Sequence, residues 1–517
     1  MRRLISYGLG LIFWLPGKMV AQHVLYTESI RARTGIQFQV IGKSESFYWT
    51  AKLQKEKIYN RHDQPENTGL LGFVLFDARL APIREEGSVY FPGIRKQWLM
   101  TGKNCLDQLL LTGSNDNTKL FCKRFYNDER RAKQVRIVDS LTFNADPSSA
   151  LLVRSEDHSK ILFIAFENSD EYTTRVHAIL FDEDWKPIYH RVIDHSLFAQ
   201  PCMQEDEISF PGESFDDLPI KLANNGEWLM AAPSRTSRNF SVFHVCANGS
   251  EYQFRELPVS PFYKMEDIAM SIDNDKQEMS VGLLSRYLKT SLKNVQVTNY
   301  SIKQGRFDFD TSYRFNTQLR NIPGRNLSHE RFIAVPGGGY LLLKEYGIPL
   351  EFEKPETPFI GNWEAAYLLA NYSESRPDKG SLSDGYHVNS GLSPIPLIRN
   401  RGDLNLFYFP AISKDSTWSG SMIMEQQGES NNPDLSYLIV PDKDKLYIIY
   451  NNAEGSGNPI ATNTTLNWRG QPTGDGLVFW KMNKLLNFQK AHHFSSDEIA
   501  IPYIHNQQGG FAIIRLP

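Results

Sequence analysis

Long hydrophobic runs are missing from this sequence beyond its first residues, and so is any excess of basic residues. No later stretch approaches the roughly 18 consecutive apolar residues of a transmembrane helix, so no membrane span is predicted there. The formal net charge is −3, without a basic run. Because phosphate neutralisation needs clustered Lys and Arg, the sequence argues against nucleic acid as a partner.

The strings that mark common catalytic and nucleotide-binding sites are also absent. The chain has no GxSxG, P-loop, GxGxxG, HExxH or CxxC sequence. His492 and His493 are adjacent, so on a strand they point to opposite faces and cannot share a metal ion. No function can therefore be assigned from a short motif.

The first residues have the pattern of a secretory signal. Arg2 and Arg3 form a charged region, residues 4–15 form an apolar region, and the sequence predicts cleavage after Ala21. The apolar region is too short to span a bilayer. We therefore expect a signal peptide over residues 1–21 and an exported protein that is periplasmic, at the cell surface or extracellular.

One pattern returns along almost the whole chain: an apolar run, a tight polar or glycine-containing turn, and a second, more apolar run. Clear copies are ALLVRSEDHSKILFIAF, LPIKLANNGEWLMAAP and YLIVPDKDKLYIIY. Successive turns are mostly 50 to 68 residues apart, with one step of 105. Repetition at this period is typical of a β-propeller. The turns centre near Lys43, Lys103, Asp157, Asn225, Asp275, Gly338, Lys443 and Gln508.

The second run of each copy is almost continuously apolar, which requires cover on both faces of the strand. Radially stacked sheets supply that cover, because each blade lies between two others. A second, more polar hairpin follows most copies and has the alternation of half-exposed strands. Two hairpins make one four-stranded blade.

The number of hairpins predicts how the ring closes. Seven complete pairs are followed by one last hairpin at Ile499–Leu516, and the strand-like segment His23–Arg33 remains to join it. We predict an all-β fold over residues 22–517, a single β-propeller of eight four-stranded blades, with seven as the alternative. The chain resembles β-propellers as an architecture. It lacks the signatures of WD40 and kelch repeats, so no residue roles carry over from a subfamily.

The longest step between turns predicts an irregular insertion at about residues 347–433, rich in proline and aromatic residues. Its best strand candidates are EAAYLLANY and LNLFYFPAI. Long loops on rigid scaffolds are often functional. The aromatic side chains could equally form a small core of the loop itself.

Four cysteines allow three disulfide pairings in an oxidising compartment. Cys105 and Cys122 fall on one face of the predicted propeller. Cys202 and Cys246 fall on opposite faces, which disfavours a bond between them. Free, buried cysteines are the favoured interpretation for all four.

A carboxylate precedes the first apolar run of several repeats. If the first strand of each blade is innermost, these groups surround one mouth of the central channel. They could bind Ca²⁺, hydrogen-bond sugar hydroxyls or act as an acid and base pair. A structural role, in which they tie each blade to the next, is the alternative. The carboxylates are Asp217, Asp267, Glu330, Asp434 and Asp497.

The connection into the fourth repeat, CMQEDEISFPGESFDD, holds six acidic residues. Arg235 and Arg286 are predicted on the same face of the propeller. Opposite charges meeting there could orient a polar ligand, or they could be surface ion pairs of little energetic weight.

The sequence therefore favours an exported binding scaffold whose channel mouth and long loop hold a glycan, peptide or protein partner. The ligand-binding candidates are the five carboxylates with Arg235 and Arg286. The alternative is a carbohydrate-active enzyme, a glycoside hydrolase or a lyase, with paired carboxylates as acid and base. No metal site and no cofactor are predicted, although Ca²⁺ is a further candidate.

Overall fold

The computed structural model consists of β-strands and their turns, with no helix in the residues that it describes. These residues are 24–27, 30–31, 36–55, 68–88, 94–114, 117–128, 135–141, 150–168, 174–195, 208–209, 220–233, 240–258, 262–287, 292–316, 326–335, 339–348, 398–410, 418–422, 426–429, 437–442, 445–452, 460–467, 478–481, 485–486, 491–494, 498–505 and 508–516. No apolar helix of membrane-spanning length occurs among them.

The strands follow one another along the chain in short hairpins. They are β1 (Val24–Tyr26), β2 (Ile30–Arg31), β3 (Ile36–Ser44), β4 (Phe47–Lys55), β5 (Thr68–Phe76), β6 (Pro82–Gly87), β7 (Ile94–Thr101), β8 (Cys105–Ser114), β9 (Asn117–Tyr126), β10 (Val135–Leu141), β11 (Leu151–Arg154), β12 (Lys160–Asn168), β13 (Thr174–Asp182), β14 (Pro187–His195), β15 (Ile208–Ser209), β16 (Ile220–Leu222), β17 (Trp228–Pro233), β18 (Phe240–Val245), β19 (Tyr252–Leu257), β20 (Tyr263–Asp273), β21 (Glu278–Tyr287), β22 (Leu292–Ser301), β23 (Arg306–Asn316), β24 (Asn326–Val335), β25 (Gly339–Ile348), β26 (Ile398–Pro410), β27 (Trp418–Met422), β28 (Gln426–Glu429), β29 (Tyr437–Pro441), β30 (Lys445–Asn452), β31 (Ile460–Asn467), β32 (Val478–Lys481), β33 (Leu485–Leu486), β34 (His492–His493), β35 (Glu498–His505) and β36 (Gln508–Arg515).

Seven sheets are each built from consecutive antiparallel strands, beginning with β3, β7, β11, β16, β20, β24 and β29 in turn. The eighth sheet joins the two ends of the chain, because β1 and β2 both pair with β36 of the last hairpin. The predicted ring of eight blades, closed by N-terminal and C-terminal strands, is therefore confirmed. First strands of neighbouring sheets approach one another, as β16 does β20 and β20 does β24, so the first strand of each blade is the innermost.

The continuous apolar runs are explained by strands buried on both sides. In β12, Ile161 and Phe163 pack between the second and third sheets, whereas Leu162 and Ile164 pack between the third and fourth. Successive side chains of a strand point to opposite faces, so a strand between two neighbours needs an apolar residue at every position.

Eight hydrophobic clusters of described residues fill the spaces between consecutive sheets. The cluster that completes the ring joins Val40 and Phe76 of the first sheet to Phe511 and Ile513 of the eighth. Every sheet is thus covered on both faces, and the hydrophobic core is distributed around the ring.

Buried polar contacts reinforce ring closure. The backbone of Thr27, which follows β1, forms two hydrogen bonds with the last hairpin: its N–H donates to the Phe511 carbonyl at 3.1 Å, and its carbonyl accepts from the Tyr503 side-chain hydroxyl at 2.8 Å. The carboxylate of Glu498 accepts from the Tyr48 hydroxyl at 2.8 Å and from Arg515 Nε at 3.1 Å, and it forms an ion pair with Lys43. The pKa of Glu498 is lowered, because these donors outweigh the effect of burial.

Two turns of the same sequence type help to join the blades. In FDARLAP and FDEDWKP, the carboxylates of Asp77 and Asp182 each accept two backbone N–H groups of the turn. Leu80 and Trp185, each three residues after the aspartate of its turn, have a positive φ and a buried side chain. Each turn therefore inserts one apolar side chain between neighbouring sheets.

The structure also bears on the insertion and the cysteines. Most of LNLFYFPAI forms the end of β26, the third strand of the sixth sheet, as predicted, whereas EAAYLLANY lies outside the described residues. Cys105, Cys122 and Cys246 form no disulfide in the described structure; the first two are buried as predicted, whereas Cys246 is only half-buried. Cys202 lies outside the described residues.

A buried histidine predicts that acid destabilises the eighth sheet. His492 in β34 is only 7% exposed, and burial, aided by neighbouring His493, lowers its pKa to about 3. In the unfolded chain the imidazole is protonated below about pH 6.5, whereas in the folded protein it stays neutral down to about pH 3. The contribution of His492 to the free energy of unfolding is therefore fully present above pH 6.5 and is lost progressively as the pH falls toward 3. At about 1.4 kcal/mol per pH unit, we expect a loss of about 2 kcal/mol between pH 6.5 and 5, measured by urea unfolding.

In a His492→Gln variant, the free energy of unfolding should fall less steeply with decreasing pH. His493 is exposed, so His493→Gln serves as the matched control and should keep the wild-type slope. Equal slopes in all three proteins would contradict the prediction.

Candidate functional site

The two faces of the propeller differ in the loops that they carry. First strands begin on one face, which also carries the links between sheets and between the second and third strands; we call it the connection face. The opposite face carries the turns of both hairpins, and we call it the turn face. Asp217 and Asp434 precede first strands in the sequence, and Asp267 and Glu330 lie within them, so the connection face is where the sequence predicted the site. Asp497 instead precedes β35, the second strand of the eighth sheet, which begins on the turn face beside Lys43, so its predicted place before a first strand is wrong.

Two of the predicted site residues lie together on the fifth sheet. Asp267 is in β20 opposite Leu284, and Arg286 lies two residues further along β21, opposite Lys264. Both are at the connection-face end of the sheet. The Asp267 carboxylate accepts the backbone N–H of Ile268 at 2.7 Å.

A β-bulge beside Asp267 presents a carboxylate that the sequence analysis overlooked. The register shifts between Met265 and Asp267, so Glu266 is the extra residue of the bulge. Its Oε1 lies 2.8 Å from Arg286 Nε, and its Oε2 forms an ion pair with Lys293, which is buried. The ionic partner of Arg286 is therefore Glu266, and the only available signal was the pair of acids in KMEDIAM.

The other predicted residues are not brought together by described contacts. Glu330 occupies β24 of the sixth sheet, opposite Lys344 in β25. Asp217, Asp434, Asp497 and Arg235 lie outside the described residues. The convergence of Asp217, Asp434 and Arg235 on one channel mouth remains a prediction.

The connection between the third and fourth sheets reaches the channel side of another blade. The chain leaves β14 at His195 and enters β16 at Ile220, and in between β15 pairs in parallel with β7. Ile208 lies opposite Gln97, and Ser209 opposite Trp98. Because β7 is the innermost strand of the second sheet, β15 adds backbone on the channel side of that sheet. The sequence around Ile208 and Ser209 is the acidic connection.

The inner edge of the eighth sheet is formed by two short strands. β33 and β34 pair with β35 on the edge opposite β36. His492 is buried there and His493 is exposed, as alternation along a strand requires. β35 begins at Glu498, which pairs with Lys43 at the turn-face end of β3, so β35 is the second strand of this sheet and β33 with β34 takes the place of the first.

No group of three or more His, Cys, Asp or Glu side chains able to hold a metal ion occurs in the part of the chain that the structure describes.

Comparisons with known proteins assign neither a family nor a function to this chain. No protein-family model matches the sequence, and no curated protein matches it. Similar solved structures include hydrazine synthase from Kuenenia stuttgartiensis, with 10% identity over 73% of this chain and 78% of that one and a TM-score of 0.30. The polysaccharide lyase Uly1 has 8% identity, covers 96% and 99%, and has a TM-score of 0.34. An α-L-arabinanase from Penicillium chrysogenum has 7% identity, covers 82% and 94%, and has a TM-score of 0.26. At such low scores the likenesses carry no argument about function.

Proposed function

We propose that this protein is an exported ligand-binding propeller that holds a glycan, peptide or protein partner at the channel mouth of its connection face. The observation that carries this proposal is the pairing of β15 with β7. It supports a channel lined on one side by a connecting segment rather than by a blade strand alone. Loops held on a rigid scaffold are where such folds acquire binding specificity.

The chemistry of the acidic connection favours a ligand rich in hydroxyl or cationic groups. Glu205, Asp206 and Glu207 immediately precede Ile208 in the sequence, and Glu213, Asp216 and Asp217 follow it. Ionised carboxylates only accept hydrogen bonds, so they suit sugar hydroxyls, ammonium groups and Ca²⁺. Arg286, whose side chain is half exposed, adds a donor on the same face.

The contacts made by the two carboxylates on the fifth sheet, Glu266 and Asp267, favour binding over catalysis. One oxygen of Glu266 contacts Arg286 and the other contacts Lys293, and the Asp267 carboxylate accepts the backbone N–H of the next residue. A catalytic acid or base must present a carboxyl oxygen to the substrate, and both oxygens of Glu266 are already engaged. A hydrolase or lyase would therefore need carboxylates other than Glu266.

The first test is a thermal-shift screen of the mature protein against neutral oligosaccharides, cationic oligosaccharides, peptides and CaCl₂. A ligand that binds only the native state adds about 2.7 kcal/mol of stability when its concentration is 100 times its Kd, and the melting temperature rises accordingly. We expect an oligosaccharide or a peptide to do so. Product formation from an oligosaccharide that binds would instead favour the enzyme.

The carboxylates are tested by Asp217→Asn combined with Asp267→Asn, which preserves size and removes two charges. We expect ligand affinity to fall at least about tenfold, as lost charged hydrogen bonds imply, with an unchanged melting temperature. Asp275→Asn is the control, since Asp275 lies in the turn between β20 and β21, on the opposite face. Lost stability with unchanged binding would show that these acids tie the blades together.

A further inference from the structure

A cavity of about 160 Å³ opens on the turn face between the second and third sheets. Its lining comes from the turn between β7 and β8, from β9 and β11, and from the turn between β13 and β14. This volume far exceeds the roughly 10–15 Å³ needed by one water molecule. The cavity lies on the face opposite the predicted channel-mouth site.

Arg154, the last residue of β11, lines this cavity and is 9% exposed. One of its terminal nitrogens donates to the Thr101 carbonyl, and the other donates to the His158 carbonyl at 3.3 Å. Its buried Nε has no hydrogen-bond partner in the described part of the chain. A guanidinium has five N–H donors, so these two bonds leave three donors unused by the described residues.

No carboxylate among the described residues lies within ion-pair distance of Arg154, and burial lowers its pKa. Arg124, which lines the same cavity, is in a different state. It forms two bonds with the buried carboxylate of Asp107, at 2.7 and 2.9 Å, and one with Asp184 at 2.9 Å. Its remaining bond goes to the Glu183 carbonyl at 2.7 Å. The cavity therefore contains one guanidinium with direct ion pairs and, among the described residues, one without.

Three exposed charged side chains lie at the rim of the cavity: Lys103, Glu183 and Asp184. Lys103, in the turn between β7 and β8, has no ion-pair partner in the described structure. Asp184 is already paired with Arg124, whereas Glu183, like the buried Asp107, acts on Arg154 from beyond contact distance. An anion in the cavity would be attracted by Lys103 and repelled by Glu183.

We propose that this cavity binds a small oxyanion, a carboxylate, sulfate or phosphate group of a ligand, through the unused donors of Arg154 with Lys103 at the rim. The planar fork of a guanidinium matches the oxygens of such groups. Removing a buried cation from water is costly unless it is paired, and the bound anion supplies the missing countercharge. This site is independent of the proposed channel-mouth function.

The test is calorimetric titration of the mature protein with sodium acetate, sodium sulfate and sodium phosphate at constant ionic strength. We expect at least one anion to bind with a stoichiometry of one. Preference for acetate would identify a carboxylate ligand, and preference for sulfate or phosphate would identify a tetrahedral anion. Absence of binding by all three would overturn the proposal.

Variants at the rim give opposite expected shifts. Lys103→Gln should weaken binding about twofold to fivefold, and Glu183→Gln should strengthen it by a similar factor, the size of an exposed charge interaction. Arg154→Gln should weaken binding at least about tenfold. Lys303→Gln removes an exposed charge from a turn of the fifth sheet on the same face and should change nothing.

Arg154 also donates to two backbone carbonyls, so loss of folding is one outcome of Arg154→Gln. The two rim variants keep the test decisive, because Lys103 and Glu183 are exposed. Unchanged affinity in both rim variants, or shifts in the same direction, would overturn the proposal. The doubly substituted Asp217→Asn and Asp267→Asn protein should bind the anion as the wild type does. This separates the anion site from the channel-mouth function.

Discussion

Deleting residues 498–517 is expected to abolish the native fold. The deletion removes β35 and β36, to which β1, β2, β33 and β34 all pair. Burial of each large apolar side chain contributes about 1.5–3 kcal/mol, so six together rival the about 5–15 kcal/mol net stability of a whole protein. Near-ultraviolet circular dichroism and size-exclusion chromatography would measure the loss. The six side chains are Ile499, Ile501, Tyr503, Phe511, Ile513 and Ile514.

Deleting residues 22–33 is the graded comparison, because it removes only β1 and β2 from the outer side of β36. We expect a lower melting temperature with the fold retained. An unchanged melting temperature after the deletion of residues 498–517 would refute ring closure as a source of stability.

Asp107→Asn is expected to cost about 3–5 kcal/mol, because it breaks a buried ion pair and leaves Arg124 with only the exposed carboxylate of Asp184. Asp107 is completely buried in β8. Its carboxylate accepts from Arg124 Nε at 2.7 Å, from Arg124 Nη2 at 2.9 Å and from Trp185 Nε1 at 2.8 Å. An amide at this position has only one acceptor oxygen, so at least one buried donor loses its partner. The shift in urea midpoint measures the cost.

Asp184→Asn is the matched control, because it removes the second carboxylate that contacts the same Arg124. Asp184 is more than half exposed, so its ion pair should contribute no more than about 1 kcal/mol. Similar losses for the two variants would show that burial does not determine the strength of these contacts.

The fold could be predicted because each blade repeats the same local pattern of apolar and polar residues. The run ILFIAF requires a strand covered on both faces, and β12 alternates between two hydrophobic clusters as that pattern demands. The closing strand could be predicted because His23–Arg33 was the one strand-like segment left for the last hairpin. By contrast, nothing in the two residues of β15 predicts parallel pairing with a strand about 110 residues earlier.

The sites were harder to predict because they depend on contacts between distant residues. The sequence placed Asp267 and Arg286 near each other, but the bulge that gives Glu266 to Arg286 has no distinctive residue pattern. The turn-face cavity had a partial signal, since Asp107 interrupts the apolar run CLDQLLL and a charge in such a strand needs a partner. That partner, Arg124, is on β9, and Trp185 is in the next blade.

The pairing of Val24 with Ile514 also determines the order in which the molecule can assemble. Each of the other seven sheets consists mainly of hairpins between neighbouring segments, which form quickly because little chain entropy is lost in closing them. The eighth sheet cannot form until the last strand has been synthesised, so the first strand must wait for almost the entire chain. Until then the first and last blades each expose an apolar face, and this interval is when the chain is most vulnerable to aggregation.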